Sequence, residues 1–144
     1  MNDIPDLDRF DHDDAWRLGV QVVTACRQNA LPVAVAIHVG EQRVFRAGLP
    51  GSSADHDRWA ERKAAIIRHF GQPSLEVWTR YVGDGDPMAF LSAFALSPVH
   101  YFPAGGAVPI RVRGTMVGVL AISGLESHED HNLAAAALRS LRSD

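Results

Sequence analysis

The chain has 144 residues, 47% of them hydrophobic and 22% charged, which suits one soluble domain with a sizeable core. A net charge of −3 leaves no electrostatic footprint for nucleic acid or for an anionic membrane surface, and no apolar run is long enough to span a bilayer. A single cysteine, Cys26, excludes a disulfide within the chain and, with an acidic N-terminus lacking the apolar stretch of a secretory signal, suggests a cytoplasmic setting.

Residues 1–9 are polar and acidic around Pro5 and read as a flexible N-terminal arm, followed by one domain over 10–144. Asp11 is a suitable N-cap for a helix over about 12–30. Asp13 and Asp14 in its first turn suit the positive end of the helix dipole. Trp16, Gly19, Val20, Val23 and Cys26 make one apolar stripe, and Ala15, Leu18, Val22 and Ala25 a second. A surface helix needs only one, so this helix is expected to pack on its own sheet and on another subunit.

Leu31-Pro32 ends the helix, and Val33 to Val39 then alternates at strand period. His38 falls on the alanine-rich face of that strand and reads as a packed core histidine. Gly40-Glu41 fits a two-residue hairpin turn, and Gln42 to Ala47 returns as the second strand. A helix follows over about 54–70, with Trp59, Ile66, Ile67 and Phe70 facing inward. Leu75, Trp78, Tyr81 and Val82 suggest a short helix, although Val77 and Thr79 would also suit a strand. Asp86-Pro87 opens another helix, and residues 97–106 are irregular.

Residues 105–131 are the most informative stretch. Gly105 and Gly106 permit close approach of a ligand or another chain. Ile110 and Val112 alternate with Arg111 and Arg113, Gly114 marks a hairpin, and Thr115 to Ser123 is almost wholly apolar. That strand is expected at the sheet centre, covered on both faces. Ser127-His128-Glu129-Asp130 reads as a capping box opening the last helix. The order helix, hairpin, helices, hairpin, helix predicts an α+β fold, an antiparallel sheet with helices packed on it.

GGAVPI at 105–110, GVLAISGL at 118–125 and the pair Glu129-Asp130 resemble the GlcG/HbpS-type haem-degrading domain family. FDHDDAWRLG, LPVAV, the run from LPG through Trp59, Arg62 and Lys63, and the ending at 124–131 are similar to its small, little-characterised single-domain branch. The resemblance spans about residues 10–140. It implies a profilin-like fold with about five strands and a homo-oligomer. Some relatives bind haem, and a few are linked to haem breakdown. Ala121 and Leu125 stand where many relatives carry glycine.

Residues and resemblance together leave three functions open: a small-molecule-binding module for haem or a similar amphipathic anion, a non-catalytic oligomeric scaffold or adaptor, and, implied by the resemblance only, a haem-degrading enzyme. In the first, Arg62 and Lys63 would neutralise carboxylates and Trp59, Phe45 and Tyr101 would hold the ligand body. Gly105, Gly106 and Asp130 complete that candidate set. His131, within the matched motif, is the preferred haem-iron ligand and His12 the second. Capping alone would explain Glu129 and Asp130, and Arg62 and Lys63 could equally lie along apolar surface or pair with acids across a subunit interface. A catalytic residue is unknown: no zinc-type spacing and no nucleophile elbow is present.

Overall fold

The computed structural model describes residues 4–143. Ten elements follow in order: β1 (Asp6–Leu7), α1 (His12–Gln28), β2 (Ala34–Val39), β3 (Gln42–Gly48), α2 (Ala54–Phe70), α3 (Ser74–Tyr81), α4 (Pro87–Ala93), β4 (Ala107–Val112), β5 (Thr115–Ser123) and α5 (Ser127–Ser143). The strands form one sheet in the order β1-β4-β5-β2-β3. The two expected hairpins, β2–β3 and β4–β5, supply four of the five strands, and β5 joins them antiparallel to β2. The all-apolar strand is therefore central, as its lack of a polar face requires.

Two expectations are corrected. The sheet is not wholly antiparallel, because β1 pairs parallel to β4. Residues 4–9 are not a loose arm either: Ile4 and Leu7 are buried in the main core. The Asp6 carboxylate accepts the Gly114 N–H at 2.9 Å, and the Arg113 N–H donates to the Leu7 carbonyl at 3.2 Å. Both apolar side chains had to bury somewhere, and a two-residue edge strand does so. Residues 1–3 and Asp144, also assigned above to the arm and the domain, lie outside the described residues. The turn that receives the arm has positive φ at both Arg113 (51°) and Gly114 (81°), the geometry that matches strand twist in a two-residue hairpin.

The helices cover both faces. On one face α1 and α5 bury Leu18, Val22, Ala134 and Leu138 against Val35, Ile37, Val108, Ile110, Leu120 and Ile122. Of the two stripes on α1, Leu18, Val22 and Cys26 point inward, while Trp16 (63% exposed) and Val20 (43%) point out. On the other face α2 lays Ala60, Ala64 and Ile67 on Ala107, Val119 and Ala121. Small residues on both sides let helix and sheet come close. His38 is buried in this region of the sheet, and its Nδ1 finds no hydrogen-bond partner among the described residues. Arg46 on β3 pairs with Asp57 of α2, and Arg43 with Glu61 at 3.2 Å.

Residues 74–81 resolve as helix, with Val77 buried under Ile66, Phe90 and Leu91 in a smaller cluster. Ser74 ties this unit to the sheet: its hydroxyl accepts the Ala107 N–H at 3.0 Å and lies 3.4 Å from the Ala107 carbonyl.

Candidate ligand-binding cleft

α2 begins after Ser53, whose N–H donates to His56 Nδ1 at 3.0 Å. Because that nitrogen accepts, the neutral ring carries its proton on Nε2. One turn on, Trp59 and Arg62 stack. The Arg62 guanidinium carbon lies 4.3 Å from the centre of the Trp59 rings, and Phe102 meets Trp59 edge-on at 5.2 Å. Arg62 Nε is buried and has no hydrogen-bond partner among the described residues.

Lys63 behaves differently from its neighbour. Ala60, Ala64 and Ile67 share its inward side, so its chain runs under the helix and is only 4% exposed. Nζ donates to the Ile122 carbonyl at 3.0 Å and to Asp130 Oδ2 at 3.1 Å. Asp130 also accepts the N–H groups of Gly124 at 3.3 Å and Leu125 at 3.1 Å. Burial pulls the Lys63 amine down and pushes the Asp130 carboxyl up. Each partner opposes the other's shift, and the Leu125 and Gly124 N–H groups help hold Asp130 ionised.

The expected capping box at Ser127 does not form. Asp130 N–H donates to the Glu126 carbonyl, so Ser127 already lies within the first turn and is not the cap. Asp130 turns inward to the buried ammonium, while Glu129 stays exposed.

The two glycines serve the same spot. Gly106 has φ +132°, and an added Cβ would stand 2.8 Å from Lys63 Nζ and 2.9 Å from Asp130 Cβ. At Gly105 an added Cβ would meet the Ser127 carbonyl oxygen at 2.5 Å. Their close approach serves the chain's own α5 and Lys63.

Above the Lys63–Asp130 pair opens a cleft of about 240 Å³, walled by Asp55, His56, Trp59, Ser123, Leu125 and Ser127. The structure thus brings together Trp59, Lys63 and Asp130, with Arg62 stacked on Trp59 and Gly106 beneath. It does not bring the other candidates there. Phe45 lies across the sheet, packed against Trp16 at 5.7 Å and filling the space left by Gly19. Tyr101 packs in the α3–α4 cluster near His69. His12 is exposed and hydrogen-bonded to Gln42 at 3.3 Å. His131 is buried in α5 and does not line the cleft. Among the described residues, no group of three or more His, Cys, Asp or Glu side chains is placed to hold a metal ion.

His56 and Ser123 were not among the candidate site residues, and Ser127 was read only as a helix cap. His56 carried a signal, since a histidine three residues after Ser53 can cap the helix start, as its bond to Ser53 N–H shows.

A five-stranded sheet with two helices on one face, a third helix on the other and a short-helix satellite defines a small α+β class of fold. The chain belongs to the HbpS-like family, described as haem-degrading proteins, whose model matches residues 10–139. UPF0303 protein SCO2848 of Streptomyces coelicolor is 40% identical over 131 residues, covering 90% of this chain and 82% of that protein. The crystal structure of the Ybr137w protein superposes with a TM-score of 0.86 at 30% identity, over 96% of this chain and 81% of that one. A PduOC:heme complex shares the fold with a TM-score of 0.76 at 19% identity, over 91% and 94% of the two chains. Among the described residues no helix is long and apolar enough to cross a membrane.

Proposed function

We propose that this protein binds a small amphipathic anion, haem foremost, on the surface formed by Trp59 and Arg62, and that it does so as a binding module. One observation carries the reading. Arg62 is a cation with no carboxylate partner among the described residues, held over an indole ring, with a buried Nε that no protein group satisfies. A planar guanidinium fixed in this way presents a fork that matches a carboxylate. Trp59 and Phe102 offer apolar surface beside it. Haem bound there would supply its iron for redox or oxygen chemistry.

The chain's own residues suit the periphery of haem. Arg62 would take a propionate and Trp59 would lie along the porphyrin. Lys63 is committed to Asp130 and Ile122 and does not add a second free cation. His56 presents an N–H rather than a lone pair, so it acts as a donor and not as an iron ligand. The reading therefore places no protein ligand on the iron at this surface and assigns no turnover.

Self-association belongs to the same reading. Trp16 and Val20 are exposed on α1, and Val20 lines a groove of about 470 Å³ between α1 and α5 with Ala25, Leu133, Ala136 and Ala137. An apolar face of this kind suits a second copy of the chain. A cytoplasmic location fits the reduced, buried Cys26.

The test is a haemin titration followed at the Soret band, comparing the unmodified protein with Arg62→Ala, Trp59→Ala and His131→Ala. A saturable band weakened by the first two changes and unaffected by the third supports the reading. Non-saturating absorption, equal in all four proteins, overturns it.

A further inference from the structure

The polar end of the cleft holds hydrogen-bond donors that the Arg62–Trp59 surface leaves unused. Ser123 ends β5 with its side chain on the α2 side of the sheet, two residues beyond Ala121. It is only 4% exposed, yet its hydroxyl has no protein partner among the described residues and opens on the cleft. With the rest of the residue buried, the hydroxyl can find a partner only in the cleft. His56 lines the same cleft, its Nδ1 engaged by Ser53 N–H and its Nε2–H left to donate. α5 starts at this point. Its first intrahelical bond is Asp130 N–H to Glu126, so the N–H groups of Ser127, His128 and Glu129 have no partner among the described residues. They mark the positive end of the α5 dipole.

The charges around this end decide what it can take. Lys63 is neutralised by Asp130, and the Asp130 oxygens are already engaged by Lys63, Gly124 and Leu125. Asp55 stands exposed on the rim, an opposing carboxylate. The only uncompensated positive potential here is that of the helix end, about half a unit, and Asp55 and the exposed Glu129 of the first turn oppose it. That suits one monoanionic group and disfavours a dianionic phosphate. The volume, about 240 Å³, lies below the range of roughly 300–1,000 Å³ typical of drug-sized ligands, so the occupant is small or is one arm of something larger.

The geometry points to a subsite for a single carboxylate group, held by the Ser123 hydroxyl, His56 Nε2–H and the free N–H groups opening α5. It does not depend on haem, because none of these donors belongs to the Arg62–Trp59 surface.

The experiment titrates the full chain with sodium propionate and follows the backbone amide signals of Ser127, His128 and Glu129 and the His56 ring by ¹H–¹⁵N NMR, with sodium chloride and inorganic phosphate as parallel titrants. Saturable shifts with propionate, absent with chloride and weaker with phosphate, are expected. Ser123→Ala should weaken propionate about tenfold, the usual effect of losing one hydrogen bond to a charged group. His56→Ala, at a half-buried position, provides the same test should Ser123→Ala fail to fold. Shifts that grow linearly, that chloride reproduces, that phosphate produces more strongly, or that both variants leave unchanged would overturn the subsite. Propionate carries no porphyrin, so this result and that of the haemin titration fail separately.

Discussion

Lowering the pH should destabilise this protein through His38. The ring is buried on β2, and burial, then the positive charges of Arg68 and Arg43, pull its pKa from 6.5 to about 4. In the unfolded chain the ring takes up a proton near pH 6.5; in the folded chain it stays neutral down to about 4. Between those values the unfolded state holds more protons, so stability falls as the pH falls. The stabilisation is complete above 6.5 and lost by about pH 4. At 1.36 kcal/mol per pH unit, the interval from 6.5 to about 4 amounts to about 3 kcal/mol. That is a large part of the ~5–15 kcal/mol that holds a domain together. The assay is urea denaturation across this pH range for the unmodified protein and for His38→Leu, which removes the titrating ring from the same site. Carboxylates that also titrate are common to both proteins, so the difference between the two curves isolates His38. The unmodified protein should lose about 3 kcal/mol more than the variant. Parallel curves, or an NMR titration placing the His38 midpoint near its ordinary value, would refute the reasoning.

Three further outcomes are expected. Lys63→Met leaves the buried Asp130 carboxylate without its cation and should cost about 3–5 kcal/mol by chemical denaturation, with Lys63→Met/Asp130→Leu recovering much of it. Gly106→Ala places a Cβ against the Ile122 carbonyl and Lys63 Nζ at a φ of +132°; it should lower the melting temperature more than Ser74→Ala, whose loss is about 1–3 kcal/mol from the stranded Ala107 groups. Trp16→Asp should shift a self-associated species toward monomer by sedimentation velocity with the monomer's fold intact, and an unchanged distribution would remove α1 from the interface.

Much of the fold was legible because its signals are local. The bounds of α2 follow from Ser53 and Phe70, the central place of β5 from an apolar run with no polar alternation, and the turn from Arg113-Gly114. The pairing of β1 was not legible, because two residues carry no period and their partner lies more than a hundred residues away. The cleft was half legible. Trp59, Arg62 and Lys63 stood out together, but their neighbouring positions suggested a shared role. Lys63 lies in the stripe of Ala60, Ala64 and Ile67, and a lysine there demands a buried acid. Asp130 looked like a helix cap because an acid in a first turn usually is one. Only the tertiary fold brings it to a lysine 67 residues earlier in sequence. Phe45 was grouped with Trp59 by residue type, whereas strand alternation sends it to the opposite face of the sheet.

The stitch between Asp6 and Gly114 spans 108 residues. A ribosome adding about 5–20 residues each second needs roughly 5–20 s to make the second partner after the first. Throughout that interval Ile4 and Leu7 have no β4 to lie against. The β2–β3 hairpin and α2 can assemble early, but the sheet cannot close at its β1 edge until the β4–β5 turn leaves the exit tunnel. Closure of the β1 edge thus waits on residues more than a hundred positions later, and until they emerge the apolar side chains of Ile4 and Leu7 lack the strand that buries them.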